Sequence, residues 1–157
     1  AYAILGLEPR PGDIVYDLGA APGGWSYSAA KRGAQVFAID NGPLKGGAKD
    51  HPAISHRRED AFGFTPARQE GMPGHRWLYC DMIENPYRVA NEILIPWLER
   101  GWCDRFVVNF KVGKMDPVEL LRKFRNEPKS PLAALCSTLR FRQLFHDREE
   151  ITCVGSR

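Results

Sequence analysis

A short apolar run, Ile14-Val15-Tyr16, ends in an acid and then breaks into glycines. The nine residues Asp17-Leu18-Gly19-Ala20-Ala21-Pro22-Gly23-Gly24-Trp25 constrain the chain more than any other stretch. The run before them reads as a buried strand, and Ser26-Tyr27-Ser28-Ala29-Ala30 after them reads as a helix. Glycine in such a strand-to-helix turn accepts backbone angles that other residues avoid and lets a ligand approach the main chain. A glycine pair alone fits a bare turn better than a ligand site. The acid in front and the Pro-Gly-Gly-Trp behind favour a ligand site, with Gly19, Ala20, Pro22, Gly23, Gly24 and Trp25 as candidate contacts, although Trp25 fits core packing better than base stacking.

The remaining chain alternates strands and helices. A helix over 25–32 leads to a strand over 34–39 that ends at Asp40, and a weaker strand over 54–57 leads to Asp60. Prolines and glycines mark 63–75 as a surface loop, after which the strand 76–80 ends at Asp81. Pro86 suits the first turn of a helix over 86–100, which Pro96 is expected to kink. The strongest strand pattern, 106–110, runs into Lys111. Short helices over 117–124 and 132–137 follow, and strands over 140–145 and 150–154 close the chain as a hairpin. This order predicts an α/β fold, a mostly parallel sheet covered on both faces, with the C-terminal hairpin adding an antiparallel strand at one edge. Ligands of such sheets bind beyond the carboxyl ends of the strands, and Gly19, Asp40, Asp60, Asp81 and Lys111 all fall there.

The chemistry of the first turn separates two nucleotide-type ligands. A dinucleotide fingerprint would read Gly-x-Gly-x-x-Gly, which this turn lacks. Asp17 would repel a pyrophosphate and suit the cationic amino and sulfonium groups of S-adenosylmethionine, whose carboxylate the helix start near Gly24 could receive. Asp40, 21 residues beyond Gly19, stands where an acid often takes ribose hydroxyls. An NAD-dependent oxidoreductase rests only on the strand-turn-helix and Asp40.

Composition excludes several classes. At 157 residues with 43% apolar content the chain has the size of one domain with a substantial core. Cys80, Cys103, Cys136 and Cys153 form no Cys-x-x-Cys pair, so neither a zinc site nor a redox motif is expected, and reduced thiols in a cytoplasmic setting fit. No apolar run approaches the roughly 20 residues a membrane span needs. From Arg100 onward 12 Lys and Arg stand against 7 Asp and Glu, whereas the earlier part carries 10 against 12. The basic half fits a polyanion such as RNA, or an ordinary solvated surface. Ala1 to Leu5 reads as the tail of an amphipathic helix.

The turn resembles the donor loop of the FtsJ-like ribose 2′-O-methyltransferases. Val36 to Pro43, Arg58-Glu59-Asp60, Cys80-Asp81-Met82, Gly101-Trp102-Cys103, Asn109-Phe110-Lys111 and His146-Asp147-Arg148-Glu149-Glu150 extend the resemblance over nearly the whole chain. It implies a Rossmann-like methyltransferase fold, S-adenosylmethionine as co-substrate, and RNA as the methyl acceptor, ribosomal RNA above all. Of the family's Lys-Asp-Lys-Glu tetrad, Asp81, Lys111 and Glu150 carry over; the first lysine has no match, since the family holds it on a helix before the first strand. Lys111 then accepts or steers the proton of the ribose hydroxyl, Asp81 orients it near the donor methyl, and Glu150, preferred over Glu149, holds the lysine or the ribose. Asp60 meets the adenine amino group, with Ala61 or Phe62 nearby. His146 is read as a structural residue or an RNA contact. The expectation is a monomer, residues 1–157 forming one catalytic domain of a longer protein and needing no metal. A domain that binds donor or RNA without catalysis is the alternative.

Overall fold

In the computed structural model, which describes residues 1–68, 71–126, 130–144 and 149–157, seven strands form a single sheet. The chain opens with α1 (Tyr2–Leu5), β1 (Ile14–Leu18), α2 (Gly24–Lys31), β2 (Gln35–Ile39) and β3 (Ile54–Arg57). It continues through β4 (Arg76–Cys80), α3 (Pro86–Val89), α4 (Ile95–Glu99), β5 (Arg105–Lys111), α5 (Pro117–Leu121), α6 (Pro131–Leu135), β6 (Thr138–Arg142) and β7 (Glu150–Ser156). The sheet order is β3-β2-β1-β4-β5-β7-β6. The first five strands pair in parallel, and β7 runs antiparallel to both its neighbours.

Alternation along each strand sends side chains to two cores. Ile14, Tyr16, Leu18, Leu78, Cys80, Phe106, Val108 and Phe110 meet α3, α4, α5 and α6 on one face. Val15, Val36, Trp77, Tyr79, Val107 and Val154 meet α1 and α2 on the other. This is the two-sided covering that continuous apolar strands require.

Three details differ from the sequence reading. The antiparallel strand is not at the edge: β7 inserts between β5 and β6, and β6 becomes the edge. Its burial explains this, because Ile151 to Gly155 are all buried and need a neighbour on each side. Arg140 and Arg142 of β6 are exposed, the kind of residue that suits an unpaired edge. The observed β6 also begins and ends earlier than the expected 140–145; Phe145, His146, Asp147 and Arg148 lie outside the described residues, and so does the reading of His146. The helix expected over 86–100 contains a π-type turn at Ala90–Leu94 between α3 and α4. Pro96 has no N–H to donate and its ring crowds the carbonyl one turn back, so a widened turn just ahead of it relieves the conflict. Asn85 caps the start of this helix, its side chain accepting from the N–H groups of Tyr87 and Arg88.

Gly155 explains how β7 fits so closely. A Cβ there would lie 2.4 Å from the Thr138 carbonyl oxygen and 2.5 Å from Phe106 Cζ. Gly155→Ala is therefore expected to destabilise the fold by about 1–3 kcal/mol in urea unfolding. An unchanged midpoint would mean that the β5-β7-β6 packing is looser than described.

Candidate active site

The strand order reverses between β1 and β4, and the crevice beyond their carboxyl ends is where a parallel sheet of this type offers a site. A cleft of about 390 Å³ lies there, lined by Gly19, Ala21, Asp40, Glu59, Asp60, Phe62, Asp81, Met82 and Ile83 among others. Four of its lining residues are acids and none is Lys or Arg. Such a cleft attracts a cation and repels a pyrophosphate. A larger cavity, about 590 Å³, lies at the opposite end of the strands near Arg76, Arg100, Trp102 and Asp104. None of the five strand-end residues lines it, so the smaller cleft is the candidate site.

Local backbone chemistry shapes the cleft. Gly19 follows β1 with φ of 77°, a left-handed value that L side chains rarely adopt, and a Cβ there would lie 2.4 Å from Met82 Cγ and 3.3 Å from the Asp81 carbonyl oxygen. Its N–H donates to the Ile39 carbonyl. Asp40 Oδ2 accepts from the Ala21 N–H at 2.9 Å and its Oδ1 from the Gly42 N–H at 2.7 Å, joining the β1 turn to the turn after β2. Asp60 Oδ1 accepts from the Phe62 N–H at 3.1 Å. Arg88 lies 3.9 Å over the Phe62 ring.

Asp17 is placed differently from the direct ligand contact expected of it. Its side chain lies beneath α2, 1% exposed, and Oδ2 accepts the Ser26 hydroxyl proton at 2.6 Å. It does not line the cleft; it ties the turn to the helix. Burial pushes its carboxyl up to about 6, against the hydrogen bond from Ser26 and with a further upward push from Asp81 and Asp40. The native state thus holds this proton in a pH range where the unfolded chain has lost it. Its contribution to stability is present below about pH 4 and is lost as pH rises through 6. Asp17→Asn, which keeps a Ser26 partner and removes the charge, is expected to gain stability relative to wild type by roughly 2–3 kcal/mol between pH 4 and pH 7. Urea unfolding of both proteins at the two pH values checks this, and a constant difference would contradict it.

Ala20 packs in a small cluster with Ala38, Leu44 and Ala48. Pro22, Gly23 and Gly24 form the turn into α2, with Gly23 as its N-cap, and do not line the cleft. Trp25 lies on the α2 face of the sheet, edge-on to Tyr79 with ring centroids 5.8 Å apart. It packs on the second core.

Beside the cleft stands a cluster of polar side chains from three strands. Lys111 and Glu150 face each other across β5 and β7, as do Asn109 and Thr152. Lys111 Nζ lies 2.7 Å from Asp81 Oδ1 and makes a second ion pair with Glu150 Oε1. Asp81 belongs both to this cluster and to the cleft lining. Lys111 and Asp81 are 22% and 33% exposed, open enough to meet a second molecule. The structure thus brings Asp81, Lys111 and Glu150 together from three separate strand ends. Sequence reasoning gave no role to Asn109, whose Nδ2 donates to Glu150 Oε2 at 2.9 Å and more distantly to Asp81 Oδ1 at 3.4 Å. The signal was present: a polar residue inside the most apolar strand, two positions before Lys111 and so on its face. Glu59 and Ile83 were also missed as lining residues, and nothing local in the sequence marks them.

The sheet order and the site at its reversal define an α/β methyltransferase-type fold. The chain superposes on the crystal structure of the 23S rRNA methyltransferase ErmE with a TM-score of 0.65 at 19% identity, covering 96% of this chain and 64% of that one. It also superposes on the Burkholderia thailandensis 1,6-didemethyltoxoflavin-N1-methyltransferase with a TM-score of 0.60 at 14% identity, covering 99% and 74%. These likenesses concern the fold. Residues 2–93 match the FtsJ-like methyltransferase family, and the chain belongs to it. Among curated proteins it is 43% identical over 150 residues to the ribosomal RNA large subunit methyltransferase M of Laribacter hongkongensis, covering 94% of this chain and 41% of that protein. The protein of the same name from Xylella fastidiosa is 40% identical over 151 residues, with 94% and 40% covered. The chain therefore spans about two-fifths of the length of these relatives. Among the described residues, no helix is long and apolar enough to cross a membrane.

Proposed function

We propose that this chain is the catalytic domain of an S-adenosylmethionine-dependent RNA 2′-O-methyltransferase, acting on ribose in large-subunit ribosomal RNA. The observation that carries the reading is Asp81, shared between an acid-lined cleft and the Lys111–Glu150 pair. A methyl donor in the cleft and a ribose hydroxyl at Lys111 would then meet at one carboxylate. Family membership and the ribosomal RNA methyltransferases among the relatives support the same acceptor class.

The residues fit the donor. Asp40 and Asp60 present carboxylates for ribose hydroxyls and the adenine amino group, Ala61 and Phe62 offer apolar contact to the base, and the acids of the cleft favour the sulfonium. The amide groups at the start of α2 lie outside the cleft lining but follow Ala21 by three residues in the same turn, and, capped by no side chain, they suit the donor carboxylate. S-adenosylmethionine supplies an electrophilic methyl group. The chain's own task is to align a weak hydroxyl nucleophile and remove its proton. Alignment can lower a barrier by roughly 7–11 kcal/mol, and a positioned base adds about 10²–10⁴ in rate. Lys111 Nζ accepts or steers that proton, with Asp81 and Glu150 fixing where it stands.

Calorimetric titration tests the donor half: S-adenosylmethionine is expected to bind and NAD to give no heat. The reverse result would turn the reading toward a dinucleotide enzyme. Donor binding without transfer to any unmodified rRNA would select a non-catalytic binding domain instead.

A further inference from the structure

We infer that Asn109 is a positioning residue whose side-chain amide aligns Asp81 and Glu150 on Lys111, and that the Thr152 hydroxyl sets which way this amide points. The inference rests on the proposed transfer at Lys111 and adds a second layer behind it. Asn109 is 6% exposed and Thr152 2% exposed, so neither amide nor hydroxyl has bulk water to satisfy it. Thr152 Oγ1 donates to Asn109 Oδ1 at 2.8 Å, and Asn109 Nδ2 donates to Glu150 Oε2 at 2.9 Å and reaches Asp81 Oδ1 at 3.4 Å.

Only one arrangement of the amide satisfies this set. Ionised carboxylates accept and do not donate, so the nitrogen of Asn109 must face Asp81 and Glu150. Its oxygen then faces Thr152, whose hydroxyl has a proton to give. A flipped amide would aim a carbonyl oxygen at two carboxylates and an N–H₂ at Thr152, losing the donated bonds and adding repulsion. The register makes the arrangement rigid: Asn109 lies opposite Thr152 and Lys111 opposite Glu150 on adjacent antiparallel strands, within the sheet rather than on a loop. Each carboxylate thereby has two fixed donors, Lys111 Nζ and Asn109 Nδ2. Asn109 touches neither donor nor ribose in this account. It acts through the carboxylates.

Thr152→Val keeps the shape and removes the hydroxyl, whereas Thr152→Ser keeps the hydroxyl and removes a methyl group. In single-turnover transfer of labelled methyl to unmodified 23S rRNA, Thr152→Val is expected to lower the rate about 10-fold and Asn109→Ala about 100-fold, the scale of a catalytic group misplaced by its support. Donor affinity is expected to fall far less than the rate in both, because Asp81 is the one cleft residue that Asn109 reaches and the other lining residues keep their places. Thr152→Ser is expected to retain the rate even where its thermal midpoint falls. Equal rate losses in the Val and Ser variants, or a full rate in Thr152→Val, would overturn the inference. A second measurement holds if the wild-type protein transfers no methyl group and the proposed function itself fails. The side-chain amide protons of Asn109, followed by NMR, are expected to exchange slowly in wild type and Thr152→Ser and at least tenfold faster in Thr152→Val. Equal exchange in all three would sink the inference whatever the reaction proves to be.

Discussion

Lys111→Met is expected to abolish methyl transfer, lowering the single-turnover rate by about 10³-fold or more, while donor affinity changes by less than about threefold. Methionine keeps the length of the stem and loses the ammonium that the proposed reaction uses to steer the proton of the ribose hydroxyl. The stem comes from β5, buried along its middle, so the substitution leaves the sheet intact. What it removes is the ammonium between Asp81 and Glu150. Two carboxylates then face the substrate with no counter-charge, and a ribose oxygen developing negative charge meets repulsion in place of a donor. Lys111→Arg separates charge from geometry: a planar fork carries the charge but cannot occupy the single point that Nζ holds. It is expected to recover little of the rate. A Lys111→Met protein that keeps its rate within tenfold of wild type would remove Lys111 from the chemistry.

Gly19→Val is expected to weaken donor binding by about 100-fold or more and to reduce transfer with it, because a β-branched residue at this left-handed φ is a steric outlier. Its Cβ would collide with the Met82 side chain and press on the Asp81 carbonyl. Met82 can yield, because it is a flexible thioether; the backbone of Asp81 cannot yield without moving its carboxylate. Because that carboxylate serves both the cleft and Lys111, the variant should lose affinity and rate together. This distinguishes it from Lys111→Met, which loses rate alone. Gly19→Val with wild-type donor affinity would show that the donor lies elsewhere than beyond β1.

The sequence placed the strand ends well because each strand stops where its apolar run meets a polar residue, and that is a local signal. Asp40, Asp60 and Asp81 follow their strands and Lys111 closes its own, as expected, and the sheet brings these ends to one side. Orientation is a different matter. Asp17 is the last polar residue of β1 and was aimed at the cleft, yet alternation along the strand sends it under α2 to Ser26. Trp25 follows the turn and still belongs to the second core, as its size would favour. The hairpin was visible, but its place was not: only the unbroken burial of Ile151 to Gly155 shows that β7 must sit between two strands. Asn109 shows no role in the sequence beside Lys111, since its partners Glu150 and Thr152 come from a strand about forty residues on. Pairings of that separation are fixed by the fold and leave no spacing to read.

The most direct test of the central claim is the chemical position of the transferred methyl group. Unmodified 23S rRNA is incubated with the protein and S-adenosylmethionine labelled in its methyl group, then digested to nucleosides and separated. Label is expected in a 2′-O-methylated nucleoside and is expected to be absent when Lys111→Met replaces the wild type. Label in a base-methylated nucleoside, or ribose methylation that survives Lys111→Met, would contradict the claim.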